Sequence, residues 1–271
     1  MRKTWLSEVI GTEKAAIGLV HMLPLPSDPM YDEKGGMEKV YQAARHDLIA
    51  LQNGGVDAIL FTNEFSFPYQ KVVKREIIAS MAMVIGRLKA EITLPYGANV
   101  ISDPMASIEL CAAIDGKFTR GTFSGAYATN LGVVSTAAGE YVRKRHTLGI
   151  DSLKMVHYAL PESSASLGNL DIMTSVRSAL FNDMPDALGV SGSVAGSKAD
   201  MNLIRQIREE KPEVVLFATT GVNIDTIEET FELADAAFIA THFKVDGKFE
   251  NPIDEERVRK FMTKMKRYRS A

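Results

Sequence analysis

The sequence predicts a (β/α)8 barrel, a fold in which eight parallel strands each lead into a helix. Three observations predict it: eight short apolar runs, a helical pattern after each run, and a repeat of roughly 30 residues without a linker or low-complexity break. An open Rossmann-type sheet is the rival, but no run is followed by a Gly-x-Gly-x-x-Gly turn. We therefore predict one domain over residues 1–271, with a lead-in segment at 1–14 and a C-terminal helix at 254–271.

Each predicted strand is a short apolar run that ends in a polar or glycine-containing turn. Such runs are typical of parallel strands that are buried on both faces. In chain order they are residues 15–22, 56–64, 95–101, 117–123, 152–158, 187–192, 214–218 and 236–242.

The segments between the strands show apolar residues at helical spacing. Residues 37–53 are an example, because Val40, Ala44, Leu48 and Leu51 form one stripe, and Gly54 with Gly55 ends the helix. The other predicted helices are 71–90, 104–115, 136–148, 170–182, 199–210, one that begins at 223–226, and 254–266, and an amphipathic lead-in at 4–12 is placed on the barrel floor. Residues 23–36 hold three prolines and follow the first strand, so we predict a long loop or lid on the active face.

The composition is that of a globular protein with a sizeable core. Hydrophobic residues make up 46% of the 271 residues, charged residues make up 24%, and the formal net charge is -3. No basic face suggests nucleic acid, no apolar run is long enough for a membrane span, and the N-terminus lacks the apolar core of a signal peptide. The single cysteine, Cys111, allows no internal disulfide and fits a reducing compartment, so we expect a cytoplasmic protein.

A phosphate-binding site is predicted where the last three strands end. The seventh strand runs into Thr-Thr-Gly and then into a helix start, and free backbone N–H groups at such a point bind anions. A tight turn that merely requires glycine is the alternative. The residues assigned to this site are Gly192, Ser193, Gly196, Thr220, Gly221, Val222, Asn223, Thr241 and His242.

Acid–base residues are predicted at the ends of the first three strands. Glu64 follows the second strand, Asp103 follows the third, and His21 closes the first. A carboxyl group walled by apolar residues has a raised pKa and suits general acid or base catalysis. The alternatives are structural. Glu64 also suits a cap of the following turn, Asp103 before Pro104 suits a helix N-cap, and a strand-end histidine often bonds to backbone.

Two cations within strands need anionic partners. Arg120 has the fork that fits a carboxylate or phosphate, so we assign it to substrate binding. Lys154 suits either a Schiff base or an ion pair with Glu64 or Asp103, and we favour the ion pair.

Three further strand-end residues are assigned to substrate binding. Asn63 and Asn99 suit sugar hydroxyls or loop backbone, and His157 has the same ambiguity as the histidine on the first strand. No group of residues has close metal-ligand spacing, so we predict no cofactor, although His21, Glu64 and His157 would suit a divalent metal if the fold brought them together.

Several stretches of the chain resemble the BtpA family, and the resemblance covers nearly the whole sequence. They are His21-Met-Leu-Pro-Leu-Pro with the residues before it, 53–59 with Asn63-Glu64, 97–100, 120–132, 186–192 and 247–254. The resemblance implies a TIM-like barrel of the ribulose-phosphate-binding kind. It also implies either a role in photosystem I biogenesis or nucleosidase or sugar-processing activity encoded in bacterial sugar-catabolic gene clusters. The ends of the third to fifth strands depart from the family pattern, as at Ile101-Ser102-Asp103-Pro104, and we follow the sugar-cluster branch.

The leading hypothesis is therefore an enzyme acting on a small phosphorylated sugar or nucleoside-like compound. The resemblance favours a nucleosidase, and the phosphate site favours a sugar-phosphate isomerase, epimerase, aldolase or other lyase. The alternative is a non-catalytic assembly factor that uses the barrel as a scaffold and exposes an apolar patch away from the mouth. In either case we expect a small anionic ligand as partner, a homo-oligomer, no nucleic acid and no membrane span.

Overall fold

The computed structural model describes residues 3–168, 170–194 and 196–270. The strands are β1 (Ala15–His21), β2 (Ala58–Thr62), β3 (Tyr96–Asn99), β4 (Phe118–Gly121), β5 (Gly125–Thr129), β6 (Gly132–Thr136), β7 (Lys154–Tyr158), β8 (Ser164–Ser166), β9 (Ala187–Val190), β10 (Leu216–Ala218) and β11 (Ala236–Ile239). The α-helices are α1 (Trp5–Val9), α2 (Gly36–Gly54), α3 (Arg75–Leu88), α4 (Pro104–Ile114), α5 (Ala138–Thr147), α6 (Ile172–Asn182), α7 (Met201–Glu210), α8 (Ile227–Leu233) and α9 (Glu255–Ser270).

Eight of these strands form one parallel sheet that curls into a barrel. Their order is β3-β2-β1-β11-β10-β9-β7-β4, and each lies within a predicted strand. The end strands β3 and β4 lie next to each other. The N–H of Lys117, the residue before β4, donates to the carbonyl of Tyr96, which begins β3, over 2.7 Å. The prediction of a (β/α)8 barrel is confirmed.

Alternation along the strands divides the core into an inner and an outer cluster. Residues such as Ile17, Leu60 and Phe217 fill the barrel, whereas Val20, Ile59 and Leu216 pack against the helices. Trp5 of α1 stacks on Phe217 with ring centroids 6.0 Å apart. Helix α1 therefore closes the N-terminal end of the barrel and leaves the opposite end for a ligand.

A small antiparallel sheet is the one set of strands that we did not predict. Its order is β6-β5-β8, with β5 and β6 forming a hairpin directly after β4, and β8 coming from the chain after β7. The Lys71 ammonium donates to the Val133 carbonyl over 2.6 Å and ties the hairpin to the segment after β2. This sheet, called the roof sheet below, covers one side of the barrel mouth.

Candidate functional site

A cavity of about 380 Å³ lies between the C-terminal ends of the barrel strands and the roof sheet. The strand ends after β2, β3, β4 and β7 form its floor, and Tyr127, Val134 and Thr136 of the roof sheet cover it. Its ionisable lining residues are Glu64, Tyr69, Asp103, Arg120, Tyr127, Tyr158 and Glu162. The volume suits a small ligand of sugar or nucleoside size.

Strand alternation decides which side chains reach this cavity. Phe118 on β4 and Val156 on β7 belong to the inner cluster, and residues two positions further along each strand point the same way. Arg120 and Tyr158 occupy those positions and line the cavity. His157 has the opposite parity and stacks on Phe123 in the outer layer, with centroids 4.6 Å apart.

Arg120 is the one cationic side chain among the described residues that line the cavity. Its side chain is more than nine-tenths buried, and its guanidinium carbon lies 4.8 Å from the centre of the Phe238 ring. The guanidinium Nε donates over a long 3.5 Å to the Asn99 amide oxygen, and the Asn99 amide donates to the Arg120 carbonyl over 3.1 Å. The long bond to Asn99 is the one hydrogen bond that the guanidinium donates to a described residue, so its other donors are available to a ligand.

Glu64 faces the cavity from the end of β2. Its Oε2 accepts a hydrogen bond from the Thr62 hydroxyl over 3.0 Å and lies 3.8 Å from Nε2 of His21. The Tyr69 hydroxyl donates to the Glu64 carbonyl over 2.9 Å, which fixes the loop that carries the carboxylate. Glu64 is thus held in place with its carboxylate open to a ligand, as general base catalysis requires.

Glu162 is a second cavity carboxyl group that the sequence reasoning missed. Burial raises the pKa of Glu162 and the negative charge of Glu64 adds to this rise, whereas Arg120 and a hydrogen bond from Ser191 oppose it. The residue lies in the loop between β7 and β8, four positions after Tyr158 at the predicted strand end. Neither periodicity nor a motif marks that position, so the sequence carried no signal for it.

The tyrosines of the cavity are also additions to the predicted site. Burial raises the pKa of Tyr158 to about 12 and also raises the pKa of Tyr69. Both phenols are therefore protonated near pH 7, and they line the same cavity as the two glutamates. The strand-end position of Tyr158 was the available signal for that residue.

His21 lies beneath Glu64 and is buried, and both ring nitrogens lack a hydrogen-bond partner among the described residues. Burial lowers the pKa of His21 to about 4; Glu64 opposes the shift, and the positive charges of Lys244 and Arg120 add to it. The imidazole is consequently neutral at pH 7. It contacts Phe249 at a centroid distance of 5.5 Å and does not line the cavity.

Lys244, which follows β11, is another residue that the sequence reasoning missed. Its side chain is buried, and its ammonium lies 5.1 Å from the Phe65 ring centre and 5.5 Å from that of Phe249. Burial lowers the pKa of Lys244, and the charges of Asp47 and Glu64 oppose the shift. Lys244 therefore adds positive charge behind Glu64, outside the cavity.

The remaining candidates from the first three strands are tied to the backbone. Asp103 lines the cavity, but one carboxylate oxygen accepts from the Ala106 N–H over 3.0 Å and the other from the Val73 N–H over 2.9 Å. Asp103 is thus the N-cap of α4, the structural alternative stated above. Asn63 is buried, and its side-chain oxygen accepts from the Ile101 N–H over 2.8 Å, so it supports a loop.

Lys154 lies at the other end of the barrel. It begins β7, and its ammonium is 3.4 Å from Asp186, the residue before β9, which Arg145 also contacts over 2.7 Å. An ion pair therefore holds Lys154, as favoured, but with a partner other than Glu64 or Asp103. Neither this lysine nor His157, which packs away from the mouth, lines the cavity, and neither has a part in the function proposed below.

The turns predicted to bind phosphate lie beside the cavity but do not line it. The Gly192 N–H donates to the Thr220 hydroxyl over 2.8 Å, which joins the turns after β9 and β10. The space next to Gly221 is filled, because a Cβ there would lie 2.5 Å from the Lys198 backbone. Asn223 caps the short helical turn that it begins.

The other residues assigned to phosphate binding also have local roles. The Ser193 carbonyl accepts from the Ser163 N–H over 3.1 Å, and Val222 packs in the outer core. Thr241 and His242 begin a turn whose His242 carbonyl accepts from Arg257 over 2.8 Å. Gly196 has a positive φ of 77°, and Ala195 in the same turn lies outside the described residues. The described lining of the cavity includes none of the nine.

Two other features are absent from the part of the chain that the structure describes. No group of three histidine, cysteine, aspartate or glutamate side chains there is arranged to hold a metal ion. In that same part of the chain, no helix combines the length and the apolar character needed to cross a bilayer.

The fold and the cavity define the class: this is a (β/α)8 barrel with an ionisable cavity at the C-terminal ends of its strands, where barrel enzymes have their active sites. The chain belongs to the BtpA family, whose sequence profile matches residues 12–267. This membership confirms the family resemblance read from the sequence.

Two relatives and one solved structure illustrate the range of similar proteins. The sgc region protein SgcQ of Escherichia coli K12 is 46% identical, and the match covers 97% of this chain and 98% of SgcQ. The photosystem I biogenesis protein BtpA of Synechocystis sp. is 27% identical, over 96% of this chain and 91% of that protein. Phosphoribosyl anthranilate isomerase from Thermus thermophilus superposes with a TM-score of 0.56 at 8% identity, over 94% of this chain and 99% of that one. The last likeness shows the fold alone.

Proposed function

We propose that this protein is an acid–base enzyme acting on a small anionic sugar or nucleoside-like compound, with phosphorylated compounds as the case predicted from the sequence. The observation that supports it is that Glu64 and Glu162 line one cavity together with Arg120. Two carboxyl groups in different environments, with a cation in the same cavity, can transfer protons to and from a bound sugar.

The two glutamates have different roles in this proposal. Glu162, with its raised pKa, is the acid that donates a proton. Glu64 is the base, because its carboxylate is anchored by Thr62 and has the charge of Lys244 behind it. Arg120 binds and orients the ligand.

Two reaction types use this arrangement. In glycosidic-bond cleavage, Glu162 protonates the leaving group and Glu64 activates a water, as in a nucleosidase. In isomerisation, epimerisation or lyase chemistry, Glu64 removes a proton next to a carbonyl group and Glu162 protonates the carbonyl oxygen. We propose the protein as cytoplasmic and homo-oligomeric, as expected from the sequence.

The experiment is a turnover screen of nucleosides, sugar phosphates and sugar acids with mass-spectrometric detection of products. For an active compound, Glu64→Gln and Glu162→Gln should each lower kcat by about 100-fold or more, because each removes one proton-transfer group. Glu209→Gln, an exposed glutamate on α7, is the control and should keep wild-type activity. Full activity in both cavity variants would refute the proposal.

The alternative, a non-catalytic assembly factor, also has a supporting observation. Apolar side chains at and beside the two ends of α6 are exposed, with Phe181 86% and Met184 66% exposed. A relative of this chain is named a photosystem I biogenesis protein. An exposed apolar surface away from the mouth is what an assembly role would use.

A further inference from the structure

The charges around the cavity carry information about the ligand beyond its size. Arg120 is the cation in the described lining, and it shares the cavity with Glu64, Asp103 and Glu162. Burial raises the pKa of Glu162, which favours the neutral acid form of that group. The cavity is therefore rich in carboxyl groups and has a single positive charge to offer.

A phosphate group fits this balance poorly. It carries a charge of about -1.5 to -2 near pH 7 and is normally held by several cations or by free N–H groups at a helix N-terminus. The helix whose start faces the cavity is α4, and Asp103 already caps it, while its first residue, Pro104, has no N–H. A dianion in the cavity would face the negative charge of Glu64 with Arg120 as its main compensation.

A carboxylate fits the same groups well. The Arg120 guanidinium carbon lies 4.8 Å from the centre of the Phe238 ring, and this contact helps to hold the guanidinium in position. Its one hydrogen bond to a described residue is the long contact to Asn99, which leaves the fork open to a planar group that accepts two parallel hydrogen bonds. A single negative charge matches the single cation.

We propose that the ligand of this cavity is a sugar acid, whose carboxylate is bound in a bidentate manner by Arg120. The inference rests on the proposed function for the position of the site and narrows its substrate class from anionic sugars in general to carboxylates. The hydroxyl groups of the acid face the tyrosines of the cavity, and Glu64 and Glu162 flank its carbon chain.

Calorimetric titration with matched compounds tests the proposal. Two sets of probes are used, and within each set the compounds differ mainly in the charged group. The first set is D-glucuronate, D-gluconate, D-glucose and D-glucose 6-phosphate, and the second is D-ribonate, D-ribose and D-ribose 5-phosphate. In at least one set an acid should bind about tenfold or more tightly than both the phosphate and the neutral sugar, a difference of one decade in Kd. Preferential binding of the phosphates or neutral sugars, or no binding of any acid, would overturn it.

The variant Arg120→Lys tests whether acid binding needs the two parallel hydrogen bonds of the guanidinium or only its positive charge. The lysine keeps one positive charge but cannot make two parallel hydrogen bonds, so acid binding should fall about tenfold or more. Arg143→Lys, an exposed arginine on α5, is the matched control and should bind like the wild type. Thermal unfolding of the Arg120 variant checks that it is folded, and unchanged acid binding by the folded variant would contradict the bidentate contact.

The carboxylate site and the enzymatic function can be refuted independently, because binding and turnover are measured separately. If the acids bind through Arg120 but no compound is turned over, the proposed enzymatic function is wrong and the carboxylate site stands. If a phosphorylated compound is turned over through Glu64 and Glu162 while Arg120→Lys binds it normally, the carboxylate site is wrong and the enzymatic function stands.

Discussion

At the scale of the residue, the orientation of a side chain on its strand decides its chemistry. His21 and His157 each lie at or near the end of a barrel strand, and we predicted acid–base catalysis for His21 and substrate binding for His157, with the same structural alternative for both. The structure separates them, because His21 lies behind Glu64 inside the mouth and His157 packs on Phe123 in the outer layer. The two share one property, a pKa that burial lowers to about 4.

The lowered pKa of His157 predicts a pH-dependent loss of stability. Below pH 6.5 the unfolded chain takes up a proton on this histidine, whereas the folded state does not until about pH 4, so stability falls as the pH falls between these values. His157→Leu removes the effect, and its stability relative to wild type should rise by up to about 3 kcal/mol between pH 7.5 and pH 4. Urea unfolding at several pH values measures this.

His146→Leu is the control for that experiment. His146 is exposed and pairs with Asp151 on the surface, so His146→Leu makes the same substitution outside the core and shows what the exchange of histidine for leucine does there. Parallel curves for wild type and His157→Leu would contradict the assignment of His157 as a buried neutral histidine.

At the scale of the element, the barrel closes where β3 approaches β4. Gly97 faces the Phe118 carbonyl so closely that a Cβ atom would lie 1.9 Å from that oxygen. The contact is with backbone, which cannot move aside as a flexible side chain can. We predicted no structural role for Gly97, because a glycine within a short strand has several explanations.

Replacement of Gly97 by alanine should therefore destabilise the protein by about 3 kcal/mol or more, since the methyl group forces β3 and β4 apart. Gly86→Ala is the matched substitution: Gly86 lies within α3 with no atom near its missing Cβ, and alanine there should stabilise by about 0.5–1 kcal/mol. Thermal and chemical unfolding of the two variants measure both effects. Equal stability of Gly97→Ala and wild type would show that the two strands can separate without cost.

At the scale of the whole molecule, the protein has a ligand-sized cavity at one end and an exposed apolar surface along its side. Leu170 and Phe181, next to and within α6, are 58% and 86% exposed, while Val176 of the same helix is buried. Apolar residues of this size on a surface are typical of contacts with another protein. The predicted homo-oligomer would bury this surface.

Phe181→Glu tests the role of that surface. If α6 is an oligomer contact, the charge should shift the protein towards a smaller species in light scattering and leave ligand binding in the distant cavity unchanged. Val72→Glu, at an exposed apolar residue 78% exposed in the segment before α3, is the control. An unchanged mass for Phe181→Glu would exclude this helix as a required contact.

The sequence by itself determined the barrel, because the periodicity of apolar residues is a local property and all eight barrel strands carry it. It also indicated Glu64, Asn99 and Arg120, which end or follow strands and line the cavity. Only the tertiary structure brought Glu162 to the same place, since that residue lies in a loop where no period or motif constrains it. The roof sheet likewise formed from short strands of small residues, which lack the apolar alternation that marks a strand. Sites of this kind depend on contacts between segments distant in sequence, and a local pattern carries no record of such contacts.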